Sequence, residues 1–105
     1  MMRKAVVYTH GKRAGVLTEV SPNEYHFDYD EDYDGDSISL TMPVSQKKYS
    51  FKSFPPFFEG LLPEGVMLQG LLRIVKIDQK DYFSQLMATG ADLVGAITVK
   101  PMEDE

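Results

Sequence analysis

Thirteen residues from Ser53 to Gly65, SFPPFFEGLLPEG, restrict what this chain can fold into more than any other stretch. They hold three aromatics, two leucines and three of the six prolines, so the segment is too apolar to lie in water and too interrupted to form one long helix. Pro55 and Pro56 suit the first turn of a short helix, where a missing N–H is not needed and φ is already set. Pro63 disfavours the α region for Leu62, which predicts that this helix stops after about two turns. Glu64 and Gly65 follow, and then a second helical pattern begins. The expected product is a tight helix–turn–helix elbow, with Phe57, Phe58, Leu61 and Leu62 divided between a core and an exposed edge.

The rest of the sequence supplies what such an elbow packs on. Lys4 to Thr9 and Arg13 to Val20 read as two strands joined by a hairpin at His10-Gly11-Lys12. Asn23 to Tyr29 alternates strictly, placing Tyr25, Phe27 and Tyr29 on one face and Glu24, His26 and Asp28 on the other, as a half-buried strand does. Residues 30–36 form a polar loop, Ser37 to Met42 reads as a fourth strand ended by Pro43, and Val44 to Phe51 stays open between loop and short strand. Beyond the elbow, Leu68, Leu71, Leu72 and Val75 fall at helical spacing across Val66 to Lys76. A third helix is expected to start at Asp78 as N-cap, to present Tyr82, Phe83, Leu86 and Met87, and to stop at Gly90. Leu93 to Val99 reads as a last strand cut off by Pro101, with a frayed tail over 102–105. The fold expected is α+β: one domain over 1–105 in which a small antiparallel sheet carries about three helices on one face.

Charge and composition narrow the function. A net charge of −5 argues against direct binding to nucleic acid, where lysine and arginine must neutralise phosphates. With no cysteine, disulfides and thiolate metal sites are out of reach. No apolar run approaches the roughly 20 residues that span a bilayer, and Ala5-Val6-Val7-Tyr8 is too short for a signal peptide, so a cytoplasmic protein without membrane contact is the expectation.

Catalytic and metal templates find little to match. Asp30, Asp32, Asp34 and Gly35 satisfy the D-x-D-x-D-G opening of a calcium loop, but position twelve is Thr41 where a bidentate Glu is required, and the flanks read as strands. The loop therefore reads as a solvated strand connection, with weak cation binding left open. His10 sits in a turn, and His26 lies among acids as a solvent-facing pair partner. No G-x-S-x-G is present, and Gly90 to Gly95 lacks the Lys-Ser/Thr of a phosphate loop. The reading is a binding module and not an enzyme, with no cofactor. Within the elbow, Val66 and Met67 directly after Pro63-Glu64-Gly65 would present apolar side chains at a helix start, the kind of tip that a partner protein buries.

Four stretches in order, G-V-L-T at Gly15 to Thr18, S-I-S-L-T-M-P at Ser37 to Pro43, F-F-E-G-L-L-P-E-G at Phe57 to Gly65 and D-L-V-G-A-I-T-V at Asp92 to Val99, resemble the small N-terminal subdomain of HipA-type serine/threonine kinase toxins. The resemblance covers about Lys4 to Pro101. The kinase core's His-Arg-Asp and Asp-Phe-Gly motifs are absent from this sequence. A free-standing subdomain is similar to the HipS-type small proteins of tripartite HipBST toxin–antitoxin modules. That resemblance implies an antitoxin that binds and inhibits a separate HipT-like kinase toxin, in a ternary complex with a HipB-like DNA-binding protein. Joined to the reading of the elbow, this makes Leu62, Pro63, Glu64, Gly65, Val66, Met67 and Glu59 the residues expected to bind the kinase, acting by occluding the kinase cleft or by conformational restraint. The alternative is a non-catalytic regulatory or assembly subdomain of a HipA-like kinase.

Overall fold

The computed structural model describes residues 3–62, 81–90 and 96–102. Five strands, β1 (Arg3–Thr9), β2 (Lys12–Ser21), β3 (Glu24–Tyr29), β4 (Lys48–Phe51) and β5 (Ile97–Pro101), form one antiparallel sheet in the order β4-β3-β2-β1-β5. Two helices are described, α1 (Pro56–Glu59) and α2 (Tyr82–Thr89). The helix expected over Val66 to Lys76 lies outside the described residues.

The β1–β2 hairpin is closed by His10 and Gly11, with φ of 51° and 81°. Both central residues at positive φ make the primed turn whose twist matches that of the strands. One residue of β2, Ala14, is extra against β1: Val7 pairs with Gly15 and Tyr8 with Arg13. The bulge leaves the Ala14 carbonyl free to accept from the Asp30 amide at 2.8 Å. Gly15, next in line, lies so close to β3 that an added Cβ would stand 2.3 Å from the Asp28 carbonyl oxygen.

Pairing and alternation place Ala5, Val7, Leu17, Tyr25, Phe27, Tyr29 and Val99 on one side of the sheet, where Phe58, Leu62, Phe83 and Leu86 from the helical segments complete a buried core. Phe27 and Phe58 are fully enclosed with ring centroids 5.9 Å apart. Burying one such ring contributes roughly 2–3 kcal/mol. Tyr33, Ile38 and Met42 extend the same core under the loop between β3 and β4.

Four expectations are corrected. Ser37 to Met42 is not a strand of the sheet: Ser39 and Met42 form an isolated bridge across a turn, and the fourth strand is Lys48–Phe51. Ile38 and Met42 are buried as an alternating strand would have them, but the reversal throws Leu40 outward, and Tyr29 Oη holds the two sides together by accepting from the Ile38 amide at 2.9 Å and donating to the Met42 carbonyl at 2.5 Å. α1 is a single turn, because Gly60 caps it and the chain tightens to i→i+3 bonds from Leu61 to Phe58 and Leu62 to Glu59. α2 is capped by Asp81, whose carboxylate accepts from the Ser84 amide at 3.2 Å, and not by Asp78, which lies outside the described residues. β5 does not end before Pro101 but includes it, opposite Ala5 on the edge of the sheet, a place that tolerates a residue without an N–H.

Candidate partner-binding surface

The elbow is rooted in the core. Pro55 is fully buried as the N-cap of α1 and its carbonyl accepts from the amides of Phe58 and Glu59 at 3.1 and 3.0 Å. Pro56 at N1 needs no donor partner. This fixed turn drives Phe58 inward, leaves Phe57 half-buried edge-on to it at 5.1 Å, and turns Glu59 out to solvent. Leu62, the first of the expected binding residues along the turn, is 8% exposed and belongs to the core cluster. It therefore anchors the chain from behind, while Glu59 stands free on the surface; Pro63, Glu64, Gly65, Val66 and Met67 lie outside the described residues.

Next to the elbow a charged network ties the β1–β2 hairpin to the distant start of α2. Arg3 of β1 donates to both carboxylate oxygens of Glu19 on β2, at 2.5 and 2.9 Å, to Asp81 at 3.0 Å and to Ser84 Oγ at 2.8 Å. Its guanidinium lies 4.9 Å from the centre of the Phe83 ring. Tyr25 adds a hydroxyl to Glu19 at 2.9 Å. The hydrogen bond from Arg3, helped by that from Tyr25, holds the Glu19 carboxyl below the ordinary range against the opposing effect of burial. Burial also pushes the Asp81 carboxyl upward, but hydrogen bonds from Arg3 and from the Ser84 side chain and amide outweigh it, so Asp81 too titrates below its usual range. Burial, then the bond to Glu19, raises the Tyr25 phenol to about 12. Arg3 is raised further still by the Glu19 hydrogen bond and stays charged.

The acidic loop is folded differently from a cation cage. Asp30 pairs with Arg13 at 2.8 Å and Asp34 with Lys12 at 3.3 Å, both cations coming from β2. Tyr33 turns inward, stacked on Tyr29 with centroids 5.8 Å apart and planes 3° from parallel, and Lys47 Nζ donates to its carbonyl at 2.8 Å. The acids thus splay outward around a buried ring. Among the described residues no three His, Asp or Glu side chains come together in a group able to hold a metal ion. His26 pairs with Glu24 at 2.8 Å, as its place between acids leads one to expect.

Sequence reasoning missed the Arg3 network. Its one local signal is Asp81 three residues before Ser84, a capping pair; no local pattern connects either residue to Arg3.

Comparisons with known proteins concern the chain as a whole. Residues 5–100 match the family model described as the HipA N-terminal domain. A solved structure titled the N-terminal domain of HipA toxin superposes with a TM-score of 0.77 at 29% identity, covering 98% of this chain and 95% of that one. A protein of Haemophilus influenzae named only as an uncharacterized protein is 30% identical over 100 residues, which are 95% of this chain and 93% of that protein. Two Sinorhizobium fredii proteins named as putative kinases, Y4dM and Y4mE, are 31% and 26% identical, and the match spans only 27% and 24% of their length.

Proposed function

The chain belongs to the HipA N-terminal domain family, and from that premise we propose that it is the antitoxin of a tripartite toxin–antitoxin system, binding and inhibiting a separate HipT-like serine/threonine kinase. The turn from Leu62 to Met67 docks at the kinase active site, with Val66 and Met67 burying apolar area and Glu64 meeting a basic group that otherwise handles phosphate. Glu59 borders the same contact. The protein performs no chemistry of its own, needs no cofactor, works in the cytoplasm and reaches an operator only through a HipB-like DNA-binding partner in a ternary complex.

The observation that carries this reading is the rooting of the turn: Leu62 is held in the core at 8% exposure, directly before Pro63, while Glu59 faces solvent. A segment anchored at its base loses less freedom when its tip is buried by a partner. The Haemophilus relative lends support, since the domain makes up nearly the whole of that protein. A second reading, a regulatory or assembly subdomain of a HipA-like kinase, draws on the Sinorhizobium putative kinases, in which a matching segment is about a quarter of a longer chain.

The test is co-expression of this chain with a HipT-like kinase, scoring growth. Val66→Ser with Met67→Ser is expected to abolish protection while circular dichroism of the purified variant stays native. Undiminished protection by the double variant would remove the turn from the mechanism. A kinase equally active with and without bound wild-type chain would overturn inhibition itself.

A further inference from the structure

A cleft of about 490 Å³ opens beside the elbow, between the β2–β3 turn, the segment before α1 and the start of α2. It sets three carboxylates, Glu19, Glu59 and Asp81, against three rings, Tyr25, Phe54 and Tyr82, and among the described residues no lysine or arginine lines it. The rings form a continuous wall: Phe54 meets Tyr25 edge-on at 5.4 Å and Tyr82 at 5.6 Å. Tyr82 is 37% exposed, one of two large apolar side chains so exposed among the described residues.

Arg3 shows what this end of the domain does with a guanidinium, seating it on two carboxylates and over a ring. Arg3 satisfies Glu19 and Asp81 but leaves Glu59 exposed and, among the described residues, without an ion pair. We propose that the cleft takes an arginine side chain of the partner kinase, its guanidinium on Glu59 and an adjoining apolar residue on the Phe54–Tyr82 wall. Arginine suits the site better than lysine, because its flat, weakly hydrated head stacks on rings and forks onto a carboxylate. The excess negative charge disfavours an acidic or phosphorylated segment. Glu59 belongs to α1, so an arginine held here lies next to the turn that docks, and the identity of the partner rests on the proposed function.

Two arms separate the cleft from that reading. In the first, the full chain is titrated by amide NMR with acetyl-Arg-Leu-amide and with the citrulline analogue, which keeps the shape and loses the charge. Shifts centred on Phe54, Glu59 and Tyr82 are expected, at least fivefold weaker in affinity for citrulline, with Glu59→Gln weakening the arginine peptide at least threefold. Equal response to both peptides, or shifts elsewhere, overturns the proposal. In the second, the affinity of the kinase for Glu59→Lys is expected to fall about tenfold at low salt, and the gap to narrow as salt is raised. A kinase that binds the wild type and this variant equally refutes the cleft while the inhibitor reading stands; a positive peptide arm with no kinase binding to the wild type refutes the inhibitor reading and the kinase as the source of the arginine.

Discussion

Gly90 ends α2 with its Cα pressed against β5: a Cβ added there would stand 2.1 Å from the Val99 carbonyl oxygen and 3.0 Å from the Val99 Cβ. The residue has φ −59° and ψ −29°, a right-handed conformation open to any amino acid, so the demand is for space and not for backbone freedom. Gly90→Ala must push α2 away from the sheet that Phe83 and Leu86 pack on. It is expected to cost about 3 kcal/mol, at the upper end for overpacking a core. Gly60 at the end of α1 is the control, because among the described residues a Cβ there meets only the carbonyls of Phe57 and Pro56 at 3.5 Å, ordinary contact. Urea denaturation of the two alanine variants should separate them clearly, with Gly60→Ala within about 0.5 kcal/mol of wild type.

The Arg3 network makes stability depend on pH in a definite direction. Glu19 and Asp81 both titrate below their ordinary values of 4.5 and 3.8 in the folded chain. Groups depressed in this way bind more protons when unfolded, so their contribution is complete above the ordinary values and is lost as pH falls through the folded ones. Arg3 remains charged throughout and adds no slope. Arg3→Met is therefore expected to lower stability by about 1–2 kcal/mol at pH 7, a modest figure because the guanidinium is 40% exposed. Between pH 5 and pH 3 the gap from wild type should shrink, read from urea midpoints at pH 7, 5 and 3.5. A constant gap down to pH 3.5 would mean that the two carboxylates do not draw on Arg3.

How far the sequence could be read depended on whether a signal was local. The strict alternation from Asn23 to Tyr29 announced its strand and its buried face, because period two leaves one arrangement for three aromatics beside a core. Pro55-Pro56 announced the start of α1 for an equally local reason. Ser37 to Met42 misled because Ile38, just before the Ser39–Met42 turn, and Met42, at its end, are buried as alternate residues of a strand would be; only the exposed Leu40, at the tip, distinguishes the two. The β4 strand went unassigned since its half-buried Tyr49 and Phe51 lie between lysines at an edge. The Arg3–Asp81 pair spans 78 residues, and no window short enough to carry a propensity contains both. The aromatic cleft was illegible for the same reason, although Glu59, at its rim, was singled out from the elbow.

Tyr29 is the remaining point where one atom holds a loop. It is 4% exposed, lies edge-on to Phe27 at 4.9 Å, and its hydroxyl is the sole side-chain link between the buried Ile38 amide and Met42 carbonyl among the described residues. Burial raises its phenol above the ordinary range, so it stays neutral and able to donate at any physiological pH. Tyr29→Phe keeps the ring and its stacking on Tyr33 but leaves a buried donor and a buried acceptor without this partner. The expected cost is about 2 kcal/mol, set by the desolvated groups more than by the bond itself. The loop from Ser37 to Pro43 meets the sheet through this hydroxyl, two buried side chains and the Tyr49 hydroxyl on the Pro43 carbonyl at 2.6 Å, and only the first is lost in the variant, so the loss should be local before it is global. Hydrogen exchange is the deciding measurement: the Ile38 amide should exchange at least tenfold faster in the variant while amides of β1 and β2 change only by the global loss. Equal acceleration everywhere would mean that the loop and the sheet open as one unit and that the hydroxyl has no separate role in holding Leu40 at its tip.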